Sequence, residues 1–193
     1  MPNWCDTTYR AVGTKEQVKQ FYDLATRAWK ENSEKHPTAS KGWLGSFVDF
    51  LDGPDDVYAR GWMLDEPYLR DDFEDDYAEC TIYCDTAWNE PEQWRHFMEF
   101  KIDGLKIYYV AIEPGCEIYA TNDDAYEGKY YVDHTPEQPD SPFMTEDELC
   151  AYIEKYYQTN VNDAADCMAF AIGFNEDNDD EGLYIHAMEV YDD

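Results

Sequence analysis

Residues 79–115 read ECTIYCDTAWNEPEQWRHFMEFKIDGLKIYYVAIEPG, and the way this stretch divides decides the fold. Over residues 79–85, Cys80, Ile82 and Cys84 alternate with Glu79, Thr81, Tyr83 and Asp85, the period of a half-buried strand. Asn89 offers an N-cap, with Pro91 in the first turn and Glu92 three residues on, so a helix is expected that carries Trp94, Phe97 and Met98 toward the core. It should end near Asp103-Gly104. Residues 105–112 follow, apolar on both faces apart from Lys106, which suits an interior strand covered by helices on at least one side. Glu113-Pro114-Gly115 stops it.

Toward the N-terminus, residues 6–12 alternate as a strand with Thr7, Tyr9 and Ala11 on one side, and Gly13 ends it. Thr14 with Gln17 makes a capping box for a helix through about residue 35, its stripe formed by Val18, Phe21, Tyr22, Ala25, Ala28 and Trp29. Residues 42–51 read as a second strand and 52–78 as a long, partly irregular connection. Toward the C-terminus, residues 116–120 and 129–132 suggest a hairpin, and the proline-rich run 135–142 a seam. Thr145 with Glu148 caps a further helix bearing Leu149, Tyr152, Ile153 and Tyr156. Met168, Phe170, Ile172 and Phe174 alternate with smaller residues, so a last hairpin with 183–190 is expected across 175–182. The expected fold class is therefore α+β: a ferredoxin-like βαββαβ sandwich over residues 1–134, with an additional β-hairpin, and a C-terminal helix plus hairpin in 135–193 packed on the same domain.

Three motifs in order carry a resemblance: Met1-Pro2-Asn3-Trp4-Cys5 leading into a strand and Gly13, Thr86-Ala87-Trp88 with Pro91 opening a helix, and Glu113-Pro114-Gly115 closing a strand. Over roughly residues 1–130 the chain resembles the YubB-type ferredoxin-like family of plasmid, phage and bacterial proteins. The resemblance implies the same fold and a mobile-element context. It implies no catalytic residues.

Charge is the outlier of the composition. Among 193 residues, 44 Asp/Glu oppose 14 Lys/Arg, a net −30. Residues 1–41 hold seven basic and five acidic side chains, so +2, which leaves seven against 39, so −32, for residues 42–193. A chain so anionic repels phosphates, and direct nucleic-acid binding is not expected although 17 tyrosines would suit a base-stacking sheet. With 44% apolar residues it still has the means to build a core. No apolar run reaches membrane-spanning length and no signal-peptide pattern opens the chain, so a cytoplasmic protein is expected.

Chemistry-bearing motifs are weak. Six cysteines without an export signal read as reduced, buried small hydrophobes. Cys80 and Cys84 on one strand would stand roughly 13 Å apart, too far for a disulfide or a shared metal. Asp177-Asn178-Asp179-Asp180-Glu181-Gly182 resembles the start of an EF-hand loop, but its twelfth position is Met188 and strands are expected on both sides, so a solvated hairpin tip is the expectation. No metal site and no cofactor follow. Pro2 as an amine base, Glu113 as a general acid or base, and His36, His96, His134 and His186 each have a simpler structural reading. Neither GxxxxGK[ST] nor GxGxxG occurs.

What remains is a binding protein whose acidic surface engages a basic protein. The expected binding residues are Asp71, Asp72, Glu74, Asp75 and Asp76 in one run and Asp177, Asp179, Asp180 and Glu181 in another. In its sharp form this is nucleic-acid mimicry that inhibits a DNA-binding or defence protein. An acidic domain with no charge-driven partner, and a small enzyme with a Glu- or Cys-based site, stand as alternatives.

Overall fold

The computed structural model describes residues 3–135, 138–178 and 181–192. Among them the chain is mixed α+β, with five α-helices, two sheets and no barrel. It divides into two units, residues 1–122 and Asp123–Asp192. The division falls ahead of the expected seam, because the strand at residues 130–135 pairs within the second unit instead of closing a hairpin on 116–120.

In the first unit the elements run β1 (Trp4–Gly13), α1 (Lys15–Lys30), α2 (Gly45–Phe50), β2 (Gly61–Met63), β3 (Tyr68–Arg70), β4 (Ala78–Ala87), α3 (Glu92–Lys101), β5 (Lys106–Glu113) and β6 (Ile118–Thr121). The strands lie in the order β6-β5-β1-β4-β2 with β3 also on β4, and the pairings among them are antiparallel. Residues 105–112 are interior as expected, but β1 holds the middle, Tyr9 standing opposite both Ile82 and Tyr109.

One face of this sheet is buried: Cys5, Thr7, Tyr9 and Ala11 from β1, Cys80, Ile82 and Cys84 from β4, and Ile107, Tyr109 and Ala111 from β5. Val18, Phe21, Ala25 and Ala28 of α1, Phe47 of α2, and Trp94 and Met98 of α3 complete that core. Trp94 sits at its centre, 5.0 Å from Tyr9 and 5.3 Å from Phe47 between ring centroids. The alternate positions of β5, Lys106, Tyr108 and Val110, stay half-buried, so the strand has one fully apolar face rather than two.

Local signals hold at α1, where Thr14 and Gln17 form the capping box, but the helix stops at Lys30. Two expectations are corrected. Asn89 does not cap α3; its side chain accepts from Glu90 N at 2.7 Å, and Pro91 takes the cap position. Residues 42–51 are not a strand. Gly42, at φ +76°, turns the chain, Trp43 makes a single bridge to Trp62, and α2 follows with Leu44, Phe47 and Val48 buried at helical spacing. Inside the region 52–78, β2 and β3 are two short pieces of one edge on β4, interrupted over residues 64–67.

The second unit contains β7 (Tyr130–Thr135), β8 (Phe143–Met144), α4 (Glu146–Tyr157), α5 (Ala164–Asp177) and β9 (Gly182–Ala187), with β7 between β8 and β9 in an antiparallel sheet. The Thr145–Glu148 capping box is formed. The expected hairpin of 168–174 with 183–190 is overturned, because 168–174 lie in α5 and β9 pairs β7. Asp163 caps α5 by accepting from Asp166 N at 2.9 Å. Ala164, Cys167 and Ala171 then fall on one buried face, while Phe170 and Phe174 meet the Tyr157 ring at 5.0 and 4.9 Å. Val132, Leu149, Ile153, Cys167 and Leu183 fill the core of this unit.

Candidate functional site

Asp71, Asp72, Glu74, Asp75 and Asp76 are all exposed on the connection from β3 to β4. Phe73 and Tyr77, half-buried with ring centroids 4.9 Å apart, pin that connection, and Lys15 Nζ donates to the Phe73 carbonyl at 2.9 Å. Asp76 accepts from Lys15 N at 3.3 Å, and Asp72 lies 3.4 Å from Arg70 Nε. The second run is placed differently from expectation. Asp177 is the last residue of α5, Glu181 is exposed just before β9, and Asp179 and Asp180 lie outside the described residues. A helix end replaces the hairpin tip. The two runs belong to different units, and among the described residues no group of three or more His, Cys, Asp or Glu is arranged to hold a metal ion.

The unit boundary gives the charge imbalance a place. Residues 1–122 carry 24 acids and 12 bases, so −12, whereas residues 123–193 carry 20 acids and two bases, so −18, together the −30 of the chain. The first unit spends its cations on its acids, in pairs such as Arg10–Glu79 at 3.2 Å, Arg95–Glu90 at 3.1 Å and Lys106–Glu99 at 3.5 Å. Lys129 and Lys155 are the only bases of residues 123–193, so they can offset two of twenty acidic charges. Glu146, Asp147, Glu148 and Glu154 of α4 are exposed, as are Asp166, Glu176 and Asp177 of α5. The first three sit in the first turn of α4, where the helix dipole favours negative charge. Hydrogen bonds from the Thr145 backbone and hydroxyl hold the Glu148 carboxyl below its usual range.

A grouping that sequence spacing missed lies in the first unit. Asp49 of α2, its side chain 7% exposed, accepts from His36 Nδ1 at 2.9 Å and from Ser33 Oγ, with Lys35 Nζ at 3.8 Å. Burial pushes the Asp49 carboxyl up, but the His36 and Ser33 bonds and the charges of His36 and Lys35 outweigh it and leave it below its ordinary range. Asp49, His36 and Lys35 border an open cleft of about 730 Å³ whose lining also includes Trp43, Tyr58 and Arg60. Ser33 and His36 both bind Oδ2 of Asp49. With hydroxyl and imidazole bound to one acceptor, no serine–histidine proton relay is set up, and the cluster ties the loop after α1 to α2. Reading 42–51 as a strand hid it, because Asp49 then had no reason to face His36.

Glu113, at the end of β5, is 7% exposed. It hydrogen-bonds the exposed Cys116 thiol and so pushes that thiol up, against the opposite pull of Asn3 Nδ2, which donates to the sulfur at 3.2 Å. On balance the arrangement favours the thiol over the thiolate. Cys116 is exposed and Cys150 half-exposed, so the reading of every cysteine as a buried hydrophobe holds only for Cys5, Cys80, Cys84 and Cys167. His134 is a satisfied core residue, Nδ1 at 2.7 Å from the Tyr152 hydroxyl and Nε2 at 3.0 Å from that of Tyr157.

Fold and charge together define a two-unit α+β protein with its anionic character concentrated in residues 123–193. Comparison of the chain with family models, with curated proteins and with solved structures finds no match in any of the three. No helix among the described residues is long and apolar enough to cross a membrane.

Proposed function

We propose that this chain is a binding protein without turnover, whose acidic surface engages a basic protein partner, and that in its sharp form it stands in for nucleic-acid phosphate and so inhibits a DNA-binding or defence protein. The observation that carries the reading is the segregation of charge: 20 acids against two bases over residues 123–193. Neutral-side-chain solubility needs nothing so one-sided, and a field of this size steers basic partners and excludes anionic ones. Seven of the twenty acids, Glu146, Asp147, Glu148 and Glu154 of α4 and Asp166, Glu176 and Asp177 of α5, lie on helices, so part of the carboxylate pattern offered to a partner is helically spaced. Asp71, Asp72, Glu74, Asp75 and Asp76 add a second exposed anionic segment in the first unit.

The first unit is read as the split βαββαβ arrangement of the YubB-type family, with β2 and β3 together serving as its second strand. Its support is the chain order β1, α1, β2/β3, β4, α3, β5, with the short α2 inserted between α1 and β2, and the lateral order β5-β1-β4-β2. A small enzyme built on Glu113 or a cysteine draws less support, since the Glu113 contact favours the Cys116 thiol over the thiolate that nucleophilic chemistry needs.

The test is affinity capture by the full-length chain from nuclease-treated native-host extract, with a companion in which Glu146, Asp147, Glu148 and Glu154 are changed to their amides. Recovery at low salt of a basic nucleic-acid-binding protein, released by duplex DNA and by moderate salt and weakened in the amide variant, supports mimicry. A partner that DNA fails to displace overturns the mimicry. An absence of any partner at low salt overturns the binding role and leaves an acidic domain with no charge-driven partner.

A further inference from the structure

We propose that Cys150 and Cys167 form an oxidisable dithiol, which a hydroperoxide converts to an intramolecular disulfide linking α4 to α5. Their sulfurs lie 3.7 Å apart across the two helices, both within the second unit. A disulfide bond is about 2.05 Å long, so closure asks the sulfurs to approach by about 1.6 Å, within reach of small side-chain torsions and a slight approach of the helices. This is the opposite of Cys80 and Cys84, whose places on one strand point both side chains along the same face at a fixed spacing.

The two thiols are not equivalent. Cys150 is half-exposed, whereas Cys167 is wholly buried against Leu149, Ile153 and Ala171 of the core. The Cys167 S–H donates to the Cys150 sulfur, so the half-exposed sulfur is the acceptor and the one a peroxide can reach. Burial first, and then the bond to Cys150, push the Cys167 thiol up to about 12. Cys150 is therefore the attacking sulfur and Cys167 the resolving one.

The Cys150 thiolate attacks one peroxide oxygen, the O–O bond breaks, and the departing hydroxide takes up the proton the thiol released, giving Cys150 sulfenic acid and one water. The Cys167 sulfur then attacks the Cys150 sulfur. The S–O bond breaks, and the hydroxide leaves with the Cys167 proton as a second water. One dithiol and one hydrogen peroxide thus yield one disulfide and two waters, the peroxide taking both electrons.

Tryptic chemistry separates the partners, because Lys129 and Lys155 place Cys116, Cys150 and Cys167 in three different peptides, residues 107–129, 130–155 and 156–193. The reduced full-length chain is treated at high dilution with hydrogen peroxide, denatured in N-ethylmaleimide, digested and read by mass spectrometry. The expected result is a cross-linked pair of the 130–155 and 156–193 peptides, abolished in Cys150→Ser and retained in Cys116→Ser. If the exposed Cys116 becomes oxidised while Cys150 and Cys167 remain fully alkylated, or if the link joins other cysteines, the proposal is overturned.

Discussion

Removing either member of the Arg95–Glu90 pair should destabilise the first unit severely, and removing both should not. Arg95 Nε donates to Glu90 Oε1 at 3.1 Å, the side chains are 3% and 4% exposed, and Tyr9 Oη donates to the same oxygen at 3.5 Å. At an effective dielectric of about 20, two unit charges at this distance attract by about 5 kcal/mol. Taking both charges out of water costs several kcal/mol per ion, so the intact pair nets close to zero. Glu90→Leu leaves the Arg95 charge buried against the Tyr109 ring, 5.3 Å from its centroid, and should cost about 3–5 kcal/mol. Arg95→Met leaves the carboxylate beside the Tyr9 hydroxyl and should cost a similar amount, whereas the double variant should lie within about 2 kcal/mol of the parent. Urea unfolding followed by tryptophan emission suits the question, because Trp4, Trp29, Trp43, Trp62, Trp88 and Trp94 all fall in residues 1–122, and so the signal reports that unit alone. A double variant as unstable as the sum of the two singles would refute the reasoning, since the cost would then come from lost packing rather than from parting the two charges.

Two further outcomes concern pH. Asp6 and Asp85 face each other across β1 and β4; burial pushes both carboxyls up, and the Asp85 charge adds to the effect on Asp6. A raised carboxyl costs the fold stability once ionised, so Asp85→Asn should stabilise at pH 7, by under about 1 kcal/mol given the solvent screening. The gain should vanish below about pH 4, and a gain equal at pH 3.5 and pH 7 in thermal melts would contradict this origin. Asp49 has the opposite sign: its carboxyl is held low, so its contribution is present above the ordinary carboxylate range and fades as pH falls through its folded value. Asp49→Asn should cost about 1–3 kcal/mol at pH 7, from weakened bonds to His36 and Ser33, and progressively less on acidification; a cost unchanged down to pH 3 would exclude the charge as its source.

The legible parts of the fold were those in which local signal and burial agree. Cys80, Ile82 and Cys84 alternate on the buried face of β4, and the Thr14 and Thr145 boxes each begin a helix. Residues 42–51 failed because Trp43, Leu44, Phe47, Val48, Phe50 and Leu51 satisfy a period of 2 and of 3.6 alike, and the arbitration comes from distant packing of Phe47 on Phe21 and Trp94. Over 168–174 the decisive signal lay upstream, at Asp163 with Asp166, an N-cap that outweighed the alternating Met168, Phe170, Ile172 and Phe174. Of the candidate site, the acidic composition could be read directly, but its concentration beyond Asn122 required the unit boundary. The convergence of Ser33 and His36 on Asp49, and of Cys150 on Cys167, is set by tertiary placement that no spacing in the chain encodes.

The break between β2 and β3 bears on how the protein behaves at high concentration. An uninterrupted flank on β4 would offer a neighbouring molecule a ladder of free amides and carbonyls to extend, the usual route from a folded sheet to fibrils. Here two three-residue pieces are parted by Leu64, Asp65, Glu66 and Pro67, a gap holding two carboxylates and a residue that has no amide proton to give. On β2 the Gly61 carbonyl and the Met63 amide are already bound, by Leu44 N at 2.9 Å and Gly42 O at 2.8 Å, so the gap and that cover together leave no continuous ladder along this border for a second molecule to extend.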